Sequence, residues 1–285
     1  MSGMPLATLV NGEPLDCIAS TDRGLLYGDG VFETLAVQRG RCHYWTQHLA
    51  RLQAGCERLA IPAVDAELLA AEAGRLLAGA AQGVLKIIVT RGSGGRGYRA
   101  PQRVLPTRIL QLYPWPEFAP SCAASGVAVR LCATRLGNNA ALAGIKHLNR
   151  LEQVLARQEW DDPGIMEGLL MDVDGRLVEG TMSKLLIVSN GVLQTPDLRR
   201  CGVAGIMRSV ILDLADRLAM EVRVCDLWPA DLMQAGEVFL TNSLIGIWPV
   251  TAVDDQRYRK GPLSQRLQAL LAKQTANSCN WREEP

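Results

Sequence analysis

The sequence predicts an α+β protein in two domains, on three observations. Before Pro114, strand-like alternation is mixed with two segments of helical period. A proline-bearing break, PWPEFAPSCAASG (Pro114 to Gly126), then interrupts both periods. Beyond it, short strands separated by turn dipeptides dominate. At 285 residues, 48% hydrophobic and 21% charged, the chain is long enough for two cores. The expected boundaries are an N-terminal α/β domain over 1–115, a linker over 116–125 and a β-rich domain over 126–285.

Each element has a local reason. ATLVNGEPL alternates as a short strand into an Asn11-Gly12 turn, and VFETLAVQRGRCHYW reads as two strands joined at Arg39-Gly40. The period then changes: Leu49, Leu52, Cys56 and Leu59 recur at helical spacing in TQHLARLQAGCERLA. After Pro62 a second helix is expected over DAELLAAEAGRLLAGAAQ, with Asp65 as its start and Gly83 as its stop. Strands VLKIIVT and TRILQLY follow. Past the break come VAVRLCATRL, EGLLMDVDGRLVEG with a hairpin at Asp174-Gly175, and SKLLIVSNGVLQTP with one at Asn190-Gly191. Two helices interrupt these strands. One begins near Leu148 with an apolar stripe of Leu148, Leu151, Val154 and Leu155; the other begins near Val203. EVFLTNSLIGIWPV reads as one final strand-like run before a polar terminal helix.

Bulk chemistry narrows the partners. A formal charge of +1, with no basic block or acidic tail, gives no electrostatic footprint for nucleic acid and points to a small-molecule partner. Eight cysteines occur without one C-x-x-C, most of them inside apolar runs, which suits free thiols in a reducing cytoplasm. No charged leader precedes an apolar stretch at the N-terminus, and no window approaches the roughly 20 apolar residues of a membrane span. A cytosolic protein is expected.

The stretch VLKIIVTRGSGGRGY ends in GSGGRG, which spells Gly-x-Gly-x-x-Gly. As a dinucleotide fingerprint it requires a helix opening at the third glycine, yet YRAPQRVLPT follows, and Pro101 and Pro106 forbid a helix interior there. No Gly-Lys-Ser/Thr completes a phosphate loop either. What remains is a flexible strand-end loop carrying Arg91 and Arg96, suited to anion recognition at a mobile rim or simply solvated. The three histidines, His43, His48 and His147, have no metal-ligand spacing, and no G-x-S-x-G elbow is present. Of five lysines, Lys260 and Lys273 lie in the polar C-terminal region, and Lys86 and Lys184 occupy polar positions of alternating strands. Lys146 sits between a small-residue run and an amphipathic helix, where apolar neighbours can depress a lysine's pKa for nucleophile or base work. Its position alone leaves a structural role open.

GIKHLNRLEQVL (Gly144 to Leu155), with RGSGGRGY and LLYGDGVFET, closely resembles the 4-amino-4-deoxychorismate lyases. These belong to the fold-type IV pyridoxal-phosphate enzymes, alongside the branched-chain and D-amino acid aminotransferases. The match runs in order from the Asn11-Gly12 turn to Val250 and weakens in the C-terminal helix. The resemblance implies an N-terminal α/β sandwich, a C-terminal pseudo-barrel, pyridoxal 5'-phosphate between them, and a homodimer. It makes Lys146 the catalytic lysine that binds the cofactor covalently, Glu179 the acid facing the pyridine nitrogen, and Arg51 a ligand of the cofactor phosphate. Backbone amides of Ile206 and Met207, at a helix start, together with Asn242 and Ser243, would serve the same phosphate. Phe32, Arg96 and Tyr98 would line the substrate side, the last two matching a carboxylate-binding loop. By residue type alone, Glu179 also suits a polar hairpin position, Arg51 a surface salt bridge, and Asn242 and Ser243 strand-end caps. Met207 stands where relatives often place a threonine, and FET at Phe32 to Thr34 suits aminotransferase and lyase equally. The implied activity is elimination of pyruvate from 4-amino-4-deoxychorismate to give 4-aminobenzoate for folate synthesis, with a class IV aminotransferase acting on D-amino or branched-chain amino acids as the alternative. No metal is implied.

Overall fold

The computed structural model describes residues 3–277. Cys279 and the outermost ends of both expected domains lie outside the described residues. The chain forms two compact units. One comprises residues up to Glu117 together with Ile145–Asn149, the other Phe118–Gly144 and Arg150–Ala276.

The first unit contains β1 (Ala7–Val10), α1 (Arg23–Tyr27), β2 (Gly30–Gln38), β3 (Arg41–Cys42), α2 (Trp45–Arg58), α3 (Ala66–Leu76), β4 (Gln82–Thr90) and β5 (Thr107–Tyr113). Its strands form an antiparallel sheet in the order β1-β5-β4-β2-β3. Asn11 (φ 52°) with Gly12 (φ 86°), and Arg39 (φ 53°) with Gly40 (φ 72°), adopt the left-handed pairs that tight hairpins need. One sheet face packs Leu35, Leu85, Ile87 and Leu110 against Leu52 and Cys56 of α2 and Leu69 and Ala73 of α3. Asp65 caps α3, its Oδ1 accepting from the Glu67 and Leu68 amides at 2.7 and 3.1 Å. That helix stops at Leu76, well before Gly83. Gly83 instead lies inside β4, where an added Cβ would come 2.8 Å from the Tyr113 carbonyl oxygen. The glycine thus answers a close strand approach, not a helix end.

Ile145–Asn149 lies along the N-terminal half of β2. The Phe32 amide donates to the Lys146 carbonyl at 2.9 Å and the Leu148 amide to the Gly30 carbonyl at 3.0 Å. Leu148 is therefore extended, and the helix expected there begins at Leu151.

The second unit contains α4 (Pro120–Ala124), β6 (Val127–Leu136), α5 (Leu151–Arg157), β7 (Ile165–Asp172), β8 (Leu177–Gly180), β9 (Lys184–Ser189), β10 (Val192–Pro196), α6 (Ile206–Arg217), β11 (Val222–Cys225), α7 (Pro229–Gln234), β12 (Glu237–Asn242), β13 (Gly246–Val253), β14 (Gln256–Arg257) and α8 (Pro262–Asn277). The sheet runs β11-β10-β9-β12-β13-β6-β7-β8, with β14 on β13. It is mixed: β6 is parallel to both β13 and β7, and β10 to β11. It also curls, because the Leu177 amide on edge strand β8 donates to the carbonyl of Leu227, just past the opposite edge strand, at 2.7 Å. Val129, Leu169, Leu185, Leu240 and Trp248 fill its interior.

Three expectations need correcting in this unit. The stretch 116–125 is not a plain linker: α4 sends Cys122 into the core, and Phe118 packs edge-on against Trp248 with ring centroids 5.0 Å apart. EVFLTNSLIGIWPV is two strands, because Asn242 Oδ1 accepts from the Leu244 and Ile245 amides (2.8 and 2.9 Å) and holds a turn. The apolar stripe of α5 faces outward, with Leu151 75%, Val154 49% and Leu155 56% exposed. With Leu148 held in the extended segment, the helix docks through Ala156 against Leu136, Trp160 and Leu170. Among the described residues no helix is long and apolar enough to cross a membrane.

Candidate active site

In the first unit, the pairing of Ile145–Asn149 with β2 sets Lys146 over Phe32, with Nζ 4.3 Å from the ring centroid. Lys86, on the neighbouring β4, reaches the same ring at 5.6 Å, and burial lowers its pKa. Strand alternation sends the next residue, Glu33, to the opposite face. There it is 1% exposed beneath α2 and accepts from Arg51 Nε (2.7 Å) and Nη2 (2.5 Å) and from His48 Nδ1 (2.6 Å). Burial opposes the Glu33 charge, but the hydrogen bonds from Arg51 and His48 outweigh it and hold the carboxyl below its ordinary value. Burial pushes His48 the other way, toward neutrality, so its proton belongs on Nδ1 facing the carboxylate. Glu33 thus fixes the fork of Arg51. The sequence signal for it is a charge at a core-facing position of an apolar alternation.

This arrangement sets the acid response of the protein. His43 and His48 are both held below the ordinary value of 6.5 by burial, so the unfolded chain takes up protons first as pH falls through that value. The stability carried by Glu33 and Glu179, both depressed below 4.5, persists to lower pH and is lost as pH falls through their folded values. Melting temperature is expected to be flat between about pH 7 and 8, to decline from about pH 6.5 downward, and to decline again above about pH 9, where the thiols buried in the fold ionise only once the chain unfolds. Thermal melts across this range check it, and a curve flat to about pH 5 would be the contrary result.

The glycine loop divides its two arginines. Arg91 is buried and spent on structure, donating to Asp29 through Nε (2.7 Å) and Nη2 (2.9 Å) and to the carbonyls of Leu59 and Ala60 (both 2.7 Å). Arg96 and Tyr98 are exposed, Tyr98 at 88%. The rim expected to be mobile is tied to α1, because the Gly97 amide donates to the Tyr27 hydroxyl (3.0 Å) and Arg23 bonds two loop carbonyls.

In the second unit, Glu179 on β8 is 2% exposed, pairs with Lys184 and accepts from the Val203 amide at 2.8 Å. Burial opposes its ionisation, but the Lys184 charge and these hydrogen bonds prevail, and its pKa is lowered. Lys184 is buried, contrary to its reading as an ordinary polar strand position, and its stem runs against Gly205, where a Cβ would meet Cγ at 2.7 Å. Gly205 is the N-cap of α6 and supplies no capping side chain, which leaves Ile206 and Met207 to present first-turn amides. Asn242 commits its side chain to its turn and to the Met182 carbonyl (3.1 Å), with Ser243 beside it in that turn. Phe32, Arg51, Arg96, Tyr98 and Lys146 therefore belong to one unit, and Glu179, Ile206, Met207, Asn242 and Ser243 to the other.

The model of the family described as amino-transferase class IV matches residues 30–253. Aminodeoxychorismate lyase of Vibrio harveyi is 34% identical over 266 residues, covering 92% of this chain and 98% of that protein. The crystal structure of 4-amino-4-deoxychorismate lyase from Pseudomonas aeruginosa superimposes with a TM-score of 0.91 at 48% identity, covering 93% of this chain and 98% of that one. A putative branched-chain-amino-acid aminotransferase of Methanocaldococcus jannaschii is 33% identical over 237 residues, with coverage of 82% and 81%. With its α+β, fold-type IV architecture and a match over most of its length, the chain belongs to the class IV aminotransferase family.

Proposed function

We propose that the protein is a pyridoxal-phosphate-dependent lyase that converts 4-amino-4-deoxychorismate into 4-aminobenzoate and pyruvate, for folate synthesis. The observation that carries this reading is the likeness to the Pseudomonas lyase, which extends over nearly the whole of both chains at close to half identity. The second unit suits the cofactor chemically. A buried, ionised Glu179 complements a cationic ring nitrogen, and the twelve-residue helix α6 offers amide donors at an N-cap without a side chain to a phosphate dianion. Arg51, locked by Glu33, adds a guanidinium for the same anion.

When bound, the cofactor supplies an electron sink for the pair left behind on proton removal. Lys146 Nζ takes the proton from the amine-bearing carbon of the substrate. The electron pair released there expels the neighbouring enolpyruvyl oxygen, and aromatisation of the ring drives the elimination. The ionised Glu179 carboxylate would hold the proton on the cofactor's pyridine nitrogen. Phe32 packs beside Lys146, while Arg96 and Tyr98 hold a substrate carboxylate. The enzyme acts as a cytoplasmic homodimer. In support, the seven described cysteines are all free thiols, and Leu151, Val154 and Leu155 form an exposed apolar face on α5.

The similarity to the Methanocaldococcus protein favours one other reading, amino transfer on the same scaffold. Purified protein given 4-amino-4-deoxychorismate is expected to form 4-aminobenzoate and pyruvate in equal amounts. Transfer of an amino group from D-alanine or a branched-chain amino acid to 2-oxoglutarate, without 4-aminobenzoate, would establish the aminotransferase instead.

A further inference from the structure

The rim that carries Arg96 and Tyr98 is mostly exposed. Its order comes from α1 and the residues just before it. Arg23 is only 3% exposed and spends its planar fork in three directions. Nε donates to Asp29 Oδ2 at 2.9 Å, Nη1 to the Gly97 carbonyl at 2.9 Å, and Nη2 to the Tyr98 carbonyl at 3.0 Å. One helical turn on, Tyr27 places its ring 4.8 Å from the Arg23 guanidinium and 5.5 Å from the Tyr98 ring, and its hydroxyl accepts from the Gly97 amide. The peptide groups on the C-terminal side of Arg96 are thereby held through both donor and acceptor. The near end of the loop is fastened too: the Arg23 amide donates to the Gly92 carbonyl (2.9 Å) and the Gly94 amide to the Thr21 carbonyl (3.1 Å). An added Cβ on Gly94 would lie 3.0 Å from Arg23 Cδ, so the arginine stem passes directly beneath the loop.

Asp29 aims this fork. It accepts from both Arg23 and Arg91, and although burial opposes its charge, the two guanidinium groups hold its carboxyl below the ordinary range. Removing the Arg23 side chain would still leave Asp29 paired with Arg91, so that carboxylate keeps a cationic partner while the loop loses its arginine clasp.

We propose that Arg23 is the positioning residue for substrate recognition: by clasping the Gly97 and Tyr98 carbonyls it holds Arg96 and Tyr98 ready for a carboxylate-bearing substrate. This rests on the reading of Arg96 and Tyr98 as substrate-binding residues. The clasp orders the loop before the substrate arrives, so the entropy of ordering is not charged against binding. Lysine cannot replace it, because one ammonium cannot reach Asp29 and two divergent carbonyls together.

The test uses the cofactor-loaded enzyme with Arg23→Gln, Arg23→Lys, Tyr27→Phe and, as a separate arm, Arg96→Ala. Each is examined by steady-state kinetics with 4-amino-4-deoxychorismate, by cofactor absorbance, and by hydrogen exchange of residues 93–99. Arg23→Gln and Arg23→Lys are both expected to raise KM by about 10- to 100-fold with kcat changed less than about threefold. Exchange across 93–99 quickens and the cofactor band is retained. Tyr27→Phe shows the same pattern more weakly, and stands as the test if the arginine variants fail to fold. Unchanged exchange across 93–99, full rescue by lysine, or a fall in kcat with cofactor loss at constant KM would overturn the proposal. Arg96→Ala separates the two readings: an unchanged KM there removes the loop from substrate binding, whatever Arg23 does to loop order.

Discussion

Replacing Lys146 by alanine is expected to lower turnover by about 10²- to 10⁴-fold, the range ascribed to a positioned proton-transfer group, with little loss of stability. The segment that carries it is placed by main-chain bonds, Phe32 amide to Lys146 carbonyl and Leu148 amide to Gly30 carbonyl, which any residue can make. Its side chain is half-buried and places its cation 4.3 Å from the Phe32 ring centroid, a contact worth on the order of 1 kcal/mol. Borohydride reduction followed by peptide mapping gives a second measure: a pyridoxyl group on residue 146 of the parent and on no lysine of the variant. Lys86 is the informative control, since it approaches the same ring and burial lowers its pKa. A tag on Lys86, or parental turnover in Lys146→Ala, would reassign the catalytic lysine.

Glu179→Ala is expected to act twice, on stability and on chemistry. It removes the carboxylate that pairs with the buried Lys184 ammonium and accepts from the Val203 amide, and breaking a buried pair by removing one partner costs about 3–5 kcal/mol. The double variant Glu179→Ala with Lys184→Met removes both charges and is expected to recover most of the melting temperature, because well-packed apolar replacements of buried pairs are often neutral. Under the proposed role of Glu179 at the ring nitrogen, turnover should stay at least about 10²-fold down. Thermal melts beside kinetics of the three proteins separate the effects. A stable double variant with parental turnover would show that Glu179 is not the acid at the ring nitrogen.

Features decided within a few residues were legible in the sequence. The hairpins at Arg39-Gly40 and Asn190-Gly191 are marked because a two-residue connection needs left-handed dihedrals, and Asp65 announces α3 by capping its own helix. Features decided by distant contacts were not. Gly83 looks like a helix stop until Tyr113 is seen to pass 2.8 Å from where its side chain would be. The stripe on α5 reads as core until Leu148 is withdrawn to pair with β2. The candidate site divides in the same way. Lys146 and Glu179 stand in motifs that mark them by family order. Glu33, Lys184 and Arg23 act by holding another group, and such a role leaves no mark until the partner's position is known. Arg91 shows the converse, an arginine in a suggestive glycine-rich setting that is consumed by Asp29.

The return of Ile145–Asn149 to the first unit after an excursion through Phe118–Gly144 has a consequence for dissection by genetic truncation. A fragment ending at Glu117 would contain all five strands of its sheet yet lack the segment lining β2, and with it Lys146. A complementary fragment starting at Phe118 would carry that lysine on a strip of chain with no β2 to register against. Lys146 thus joins its unit out of sequence order, and cutting the gene between residues 117 and 118 would not yield two self-contained modules.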